Sequence, residues 1–351
     1  MLNKIIEEDC KKILQNIKLD KFKKKKILIL GGNSFLASYI QYSLFYGNIN
    51  NKLDCKISCI SLNDLNKDIS FLKKEKFFKF YKQDLTNQVK LKKFLEKKKF
   101  DFIFHFATYG QPEKWIGELN KMISLNTSSL ETILKYCIKQ NSNLLYFSSV
   151  DVYDLKNLKT KNKLINENAQ IGIPDNKSRI VYSSSKILGE ILCEEYKKKY
   201  NLKINIVRPA HTYGPGQSIN DKRLISQLIK RAIFEKKIYL FDKGESIKTW
   251  GYISDITIMF LNLIGSGKKL IYNTSGNNFR SILQIAKIIG YHFRIKKIYF
   301  KKNKDKTFLD KEKNIIKIAS KRYFKEFSKF NQTNLKKGIE NLINWNKGRL
   351  N

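Results

Sequence analysis

Ile27-Leu28-Ile29-Leu30-Gly31-Gly32-Asn33-Ser34-Phe35-Leu36-Ala37 reads as an apolar strand, a glycine turn and the first turn of a helix. The strand is an unbroken aliphatic run, the pattern of a strand buried on both faces. Gly31 stands where a tight turn requires a residue without a Cβ. In a turn that presents a helix N-terminus to a pyrophosphate, Ser34 and Ala37 would hold the places of the second and third glycines. Ala costs little at the helix-packing place, and Ser at the phosphate place adds a hydroxyl that can donate. Alone, the loop fits a cofactor cradle and an ordinary strand–turn–helix link equally well.

Outward from this stretch, apolar or β-rich segments recur at 56–61, 76–81, 102–106, 143–148 and 203–208. Helical patterns at 34–46, 88–98, 116–140 and 181–200 separate most of them. Strands alternating with helices predict an α/β fold with a Rossmann-type doubly wound parallel sheet. After Pro209 the rhythm breaks into Gly/Pro turns, short strands and helices near 221–235, 255–265, 280–290 and 333–345, which predicts a smaller α/β lobe. The expected division is an N-terminal helical extension over 1–25, a dinucleotide-binding domain over 26–210, and a substrate lobe over 211–351 interleaved with it. Within the extension, Ile6, Cys10, Ile13, Leu14 and Ile17 fall at helical spacing over 4–19.

Of the 351 residues 42% are hydrophobic, with 17 Gly and 4 Pro, which supports a sizeable core and excludes collagen-like, low-complexity and largely disordered chains. No apolar run approaches the roughly 18 residues of a membrane span. The N-terminus carries Glu7, Glu8 and Asp9 where a secretory signal needs an apolar run, so a cytoplasmic protein is expected. Five scattered cysteines (Cys10, Cys55, Cys59, Cys137, Cys193) without CxxC spacing read as reduced thiols, neither staples nor metal ligands. No metal site is expected. The net charge of +38 suggests nucleic acid, but the 69 basic residues include only 8 arginines, and the lysines are spread over every segment. Nucleic-acid readers favour the bidentate fork of Arg. A compositional bias explains the lysines better, and nucleic acid is not the expected partner. An anionic small molecule suits the charge.

The second strand should end in an acidic residue that holds the adenosine ribose. Ser61 occupies that place, with Asn63 and Asp64 just beyond, so NADP stays open beside NAD. The chemistry is concentrated in Tyr182-Ser183-Ser184-Ser185-Lys186. Four-residue spacing sets Tyr182 and Lys186 on one helix face, one turn apart. An ammonium beside a phenol lowers the phenol's pKa and makes Tyr182 a usable base near neutral pH. Upstream, the strand at 143–148 ends in Ser148-Ser149-Val150-Asp151, which puts the Ser149 hydroxyl at a strand edge where it can orient the same substrate oxygen.

With these motifs in order, nearly the whole chain resembles the extended short-chain dehydrogenase/reductase family, in its NAD-dependent nucleotide-sugar epimerase/dehydratase branch. Gly31, Ser34, Phe35, Leu36 and Ala37 resemble a degenerate form of the family's glycine loop. Asp84-Leu85 resembles the pair that contacts adenine; His105-Phe106-Ala107-Thr108 is similar to the HxAA stretch beside the cofactor; Asn126 matches the Asn of the following helix. Ser149, Tyr182 and Lys186 match the catalytic triad. Arg208-Pro209-Ala210-His211-Thr212-Tyr213-Gly214-Pro215 resembles RPxNxYGP, with His211 in place of Asn. Lys248 to Asp255 resembles the late R-D-F-x-Y-V-x-D segment, with Lys248 in place of Arg, and Arg179 to Tyr182 is similar to the clade of UDP-glucuronate decarboxylases. The resemblance implies a nicotinamide cofactor held by Gly31, Ser34, Phe35, Leu36, Asp84, Leu85, Ala107, Thr108, Asn126, Tyr182, Lys186 and Pro209. It implies a nucleotide-sugar substrate contacted by Arg179, His211 and Lys248, and a homodimer formed through the helices 116–140 and 181–200.

The implied reaction begins with Tyr182 taking the proton of a sugar 4-OH as hydride leaves C4. The 4-keto sugar is then epimerised, dehydrated or decarboxylated. Resembling 4,6-dehydratases carry Asp-Glu after the serine, and decarboxylases carry Ser-Glu; here the pair is Val150-Asp151. Val150 cannot donate a proton, so the expected outcome is epimerisation, with dehydration and decarboxylation as alternatives that would use Asp151. His105 is expected as a core histidine, Arg208 as a holder of backbone carbonyls, and Trp115 and Trp250 as packing residues. The rival class is a non-catalytic redox sensor or RNA-binding relative, which would have no use for Ser149, Tyr182 and Lys186 together.

Overall fold

The computed structural model describes residues 2–108, 117–154, 157, 164–174, 177–301 and 315–350. Its strands are β1 (Lys26–Leu30), β2 (Lys56–Ser61), β3 (Phe78–Lys82), β4 (Phe102–His105), β5 (Asn143–Phe147), β6 (Leu164–Ile165), β7 (Ile204–Pro209), β8 (His211–Tyr213), β9 (Ile238–Leu240), β10 (Ile247–Tyr252), β11 (Ile271–Thr274), β12 (Asn278–Ser281), β13 (Ile298–Phe300) and β14 (Lys317–Ile318). Seven of them form one sheet in the order β11-β7-β5-β4-β1-β2-β3, and every neighbouring pair is parallel. This is the doubly wound sheet predicted from the alternation. The order reverses between β1 and β4, and in such sheets the ligand crevice opens at the C-terminal ends of the strands on either side of the reversal.

Burial explains why the central strands read as solid apolar runs: every residue of β4, and every residue of β1 after Lys26, is buried. The helix Phe35–Asn51 also carries buried residues all round because it is covered from outside by the helix Lys4–Gln15. That N-terminal helix is bolted to both halves of the chain. Asp9 accepts hydrogen bonds from the hydroxyls of Tyr39 (2.8 Å) and Tyr252 (2.9 Å), and Lys12 pairs with Asp255 at 2.6 Å. The helix Ile253–Leu263, buried along its whole length, packs beside them.

The chain leaves the large sheet after β7 and enters a three-stranded sheet, β12-β10-β8. It returns as β11, which pairs with β7 from Ile271 to Thr274, so residues well beyond 210 complete the large sheet. The pattern read as one helix over 116–140 is two, Leu119–Asn126 and Ser128–Gln140, broken at Thr127 (φ −123°, ψ −90°). The helix expected from 181 begins at Lys177 and runs to Tyr200. All five cysteines are buried thiols. Among the described residues no helix is long and apolar enough to cross a membrane. Trp115 lies outside the described residues.

Candidate active site

The glycine turn closes the sheet at its reversal point. Gly31 and Gly32 both donate to the Ile60 carbonyl, at 2.9 and 3.1 Å. Gly31 has φ +82°, and a Cβ there would lie 2.7 Å from the backbone N and Cα of Ala107, so only glycine fits. Ser34 caps the helix Phe35–Asn51, its Oγ accepting from the Ala37 N–H at 3.2 Å, which leaves the hydroxyl proton to be donated. Phe35 and Leu36 are half-buried in the first turn. A turn that cannot bear a side chain, set at a helix N-terminus beside Ala107 and Thr108, fits a dinucleotide pyrophosphate.

At the adenosine end, Ser61 is the buried last residue of β2. Neither neighbour replaces the missing carboxylate. Asp64 is ion-paired with Lys82 at 2.8 Å, which holds its carboxyl below the usual range. Asn33 ties this loop to the glycine turn by donating to the carbonyls of Asn63 and Asp64 and accepting from the Asn66 N–H, a role the sequence reading missed. Asp84 accepts from the N–H and hydroxyl of Thr86, and Leu85 is buried beside it. A cavity of about 390 Å³ lined by Leu62, Lys82, Asp84 and Lys90 opens between the ends of β2 and β3, away from Tyr182.

Ser149, Asp151, Tyr182 and Lys186 come together beyond the end of β5. Ser149 Oγ accepts from the Asp151 N–H at 3.1 Å, lies 3.3 Å from Asp151 Oδ2, and is hydrogen-bonded with the Tyr182 hydroxyl. Lys186 is fully buried and donates to Asn126 Oδ1 at 2.9 Å and to the Phe147 carbonyl at 2.6 Å. Asn126 Nδ2 donates in turn to Ser185 Oγ at 3.1 Å and approaches Thr108 Oγ1 at 3.5 Å. The expected depression of the phenol by Lys186 is not what this geometry gives. Burial raises the Tyr182 pKa and the Asp151 charge adds to the rise, while the bond with Ser149 opposes it. Lys186, desolvated, is itself pushed down to about 7, with Glu190 opposing, and so loses much of its charge near neutrality.

Asp151 lies 3.7 Å from Arg179, whose Nε is buried without a hydrogen-bond partner among the described residues. His211, the first residue of β8, has an exposed surface while protein atoms crowd its ring. Burial, Lys248, Arg179 and Arg223 hold its pKa well below the usual value, so it is neutral at pH 7. Arg179 and Lys248, the other two expected substrate contacts, thus lie near enough to His211 for their charges to act on it. Pro209 ends β7 beside Thr274. Trp250 is buried, 5.4 Å from the His211 ring, and donates its indole N–H to the Arg280 carbonyl. Arg208 departs from expectation. It binds no carbonyl among the described residues but forms a buried two-pronged pair with Glu190, at 2.8 and 2.5 Å. Glu190 follows Lys186 by four residues, so an i, i+4 reading could have found it. His105 is buried, and desolvation with the nearby Lys186 pushes it down to about 3.

A seven-stranded parallel sheet with a glycine turn at its reversal and Ser, Tyr and Lys converging near it defines the class of Rossmann-type dinucleotide enzymes. Residues 27–274 match the NAD dependent epimerase/dehydratase family, and the chain belongs to that family. It is 29% identical to a dTDP-D-glucose 4,6-dehydratase of Dictyostelium discoideum over 76% of this chain and 61% of the relative. It is 24% identical to UDP-glucuronic acid decarboxylase 1 of Xenopus tropicalis over 54% of this chain and 44% of that relative. The chain thus spans less than two thirds of the length of these relatives. In fold it is similar to an epimerase of Methanothermobacter thermautotrophicus (TM-score 0.77, 16% identity, 99% of this chain and 96% of that one). It is also similar to UDP-glucuronic acid 4-epimerase of Bacillus cereus (TM-score 0.75, 22% identity, 92% and 99%).

Proposed function

We propose that the chain is an NAD-dependent enzyme that oxidises C4 of a nucleotide-sugar transiently and returns it as the 4-epimer. The observation that carries this reading is the pair after Ser149. Val150 is buried and apolar, and Asp151 is engaged by Ser149 and faces Arg179, so no pair of acids stands ready for elimination. Gly31, Ser34, Phe35 and Leu36 hold the pyrophosphate, Asp84 and Leu85 the adenine, and Ala107, Thr108 and Pro209 border the nicotinamide end. When bound, NAD supplies reversible acceptance of a hydride.

The chain's own residues do the rest. Ser149 Oγ orients the 4-hydroxyl, and Tyr182 Oη takes its proton and later returns it. Asn126 and Lys186 fix the floor on which Tyr182 stands. Burial raises the phenol and keeps it protonated near neutrality, so Tyr182 acts as a base only from its ionised form, which a charge retained on Lys186 favours. Arg179, His211 and Lys248 face the anionic diphosphate, with neutral His211 as a hydrogen-bond partner. A homodimer fits the exposed apolar side chains on the expected helices: Leu119, Ile123, Ile138, Leu188 and Ile191.

A second reading, 4,6-dehydration, is favoured by one observation: Asp151 keeps a carboxylate beside Ser149 and close enough to Tyr182 to raise its pKa. Incubation with UDP-, dTDP-, GDP- and CDP-sugars, followed by mass and NMR analysis, separates the readings. Epimerisation gives a product of unchanged mass with inverted C4. Loss of water or of carbon dioxide would replace this reading.

A further inference from the structure

Two donors converge on one amide oxygen beneath the site. Asn126 Oδ1 accepts from Lys186 Nζ at 2.9 Å and from Tyr146 Oη at 3.0 Å, and the Tyr146 ring lies 4.9 Å from the same ammonium. Tyr146 is a β5 residue and fully buried. Its hydroxyl reaches Asn126 because Gly189, three residues after Lys186, leaves the space: a Cβ at 189 would lie 2.1 Å from Tyr146 Oη. We propose that Tyr146 is a positioning residue for Lys186, its hydroxyl pinning the Asn126 amide oxygen toward the lysine in a slot kept open by Gly189.

The physical reason lies in the symmetry of the amide. Rotated by half a turn, Asn126 would set its Nδ2 against the Lys186 ammonium, donor against donor. The Met122 carbonyl, which can only accept, takes a hydrogen bond from Asn126 Nδ2 at 3.1 Å and opposes that rotation; the Tyr146 hydroxyl then holds the amide oxygen in place beside Lys186, and its ring face attracts the cation. Both effects act on the charged form of Lys186. The other titratable groups around Lys186 are His105 on β4 and, on its own helix, Tyr182, Glu190 and Cys193; Arg208 on β7 neutralises Glu190. Because Lys186 is desolvated to about 7, its charge state changes between pH 6 and pH 9 while the fold is intact.

The test is a double-mutant cycle on unfolding equilibria, with Tyr146→Phe, Lys186→Met and both together, at pH 6 and pH 9. Tyr146→Phe keeps the buried ring and removes only the hydroxyl. Positioning predicts that Tyr146→Phe costs more when Lys186 is present, by about fivefold or more in the unfolding constant at pH 6, within the range seen for contacting pairs. The coupling should shrink at pH 9, where Lys186 is neutral. Additive effects, or a coupling of equal size at both pH values, would show that the hydroxyl only satisfies a buried amide and would overturn the proposal. No substrate is needed, so the result stands apart from the choice between epimerisation and dehydration.

Discussion

The floor under Tyr182 and the rim around it are built in opposite ways. On the floor, Lys186, Asn126, Tyr146 and Ser185 share short hydrogen bonds, and Glu190 with Arg208 closes the layer as a buried ion pair. On the rim, Arg179 and Asp151 stand 3.7 Å apart, and Arg179, Lys248 and Arg223 all act on His211. Apart from Arg208 Nη1, the floor meets its hydrogen bonds from its own residues, whereas the rim gathers the like charges of Arg179, Lys248 and Arg223 around His211. A closely bonded floor suits a fixed first step, and a rim of like charges suits the choice of an anionic substrate.

The largest effect on stability is expected from Arg208→Ala. It strands the Glu190 carboxylate in the core, and breaking a buried pair in this way costs about 3–5 kcal/mol. Denaturant titration checks it; a cost under about 1 kcal/mol would show that the floor is looser than its bonds imply. Gly31→Val comes next, because a branched residue would sit at φ +82° with its Cβ against the Ala107 backbone. Such strain costs about 1–3 kcal/mol before any overlap is counted. Titration with NAD, followed by protein fluorescence, should show binding lost, and an unchanged affinity would separate the turn from the cofactor. On the rim, Lys248→Ala should weaken binding of the nucleoside diphosphate of the converted sugar about tenfold, close to 1.4 kcal/mol. Calorimetric titration at two salt concentrations reads the ionic share.

The last effect concerns pH and contrasts two buried groups driven to about 7 from opposite sides. The Asp9 carboxyl is raised from 3.8 by burial, against hydrogen bonds from Tyr39 and Tyr252. Its stabilising contribution is full below about pH 4 and is lost as the pH rises through 7. Lys186 is lowered instead, so its contribution grows as the pH rises from 7 toward 10.5. Melting curves from pH 4 to 8 should flatten in Asp9→Asn by a few degrees, at about 2 °C per kcal/mol. An unaltered slope would mean that Asp9 keeps its charge in the fold.

The parts of the site that could be read from sequence are those set by local spacing. The glycine turn, the four-residue step from Tyr182 to Lys186, and the serine at the end of β5 each depend on near neighbours in the chain. What escaped depends on contacts across the sheet. Tyr146 looks like one more core residue of β5 until the helix Lys177–Tyr200 lies over it and Gly189 makes room. Asp9 looks like a helix surface residue until Tyr252, 243 residues away, reaches it. The break at Thr127 was hidden because Leu119–Asn126 and Ser128–Gln140 keep one apolar pattern across it. Asn33 was passed over because its side chain serves the next loop and not the turn it belongs to.

The division of labour between floor and rim is tested most directly by comparing Tyr182→Phe with Asp151→Asn in one assay, on whichever nucleotide-sugar the wild-type protein converts. Tyr182→Phe should lose about 10²–10⁴ in rate, the usual worth of a general base, while NAD affinity holds. Asp151→Asn should lose no more than about tenfold, close to 1.4 kcal/mol of barrier, and should leave the product unchanged. The account would be contradicted if Asp151→Asn stalled turnover with reduced cofactor accumulating, or if Tyr182→Phe retained full activity.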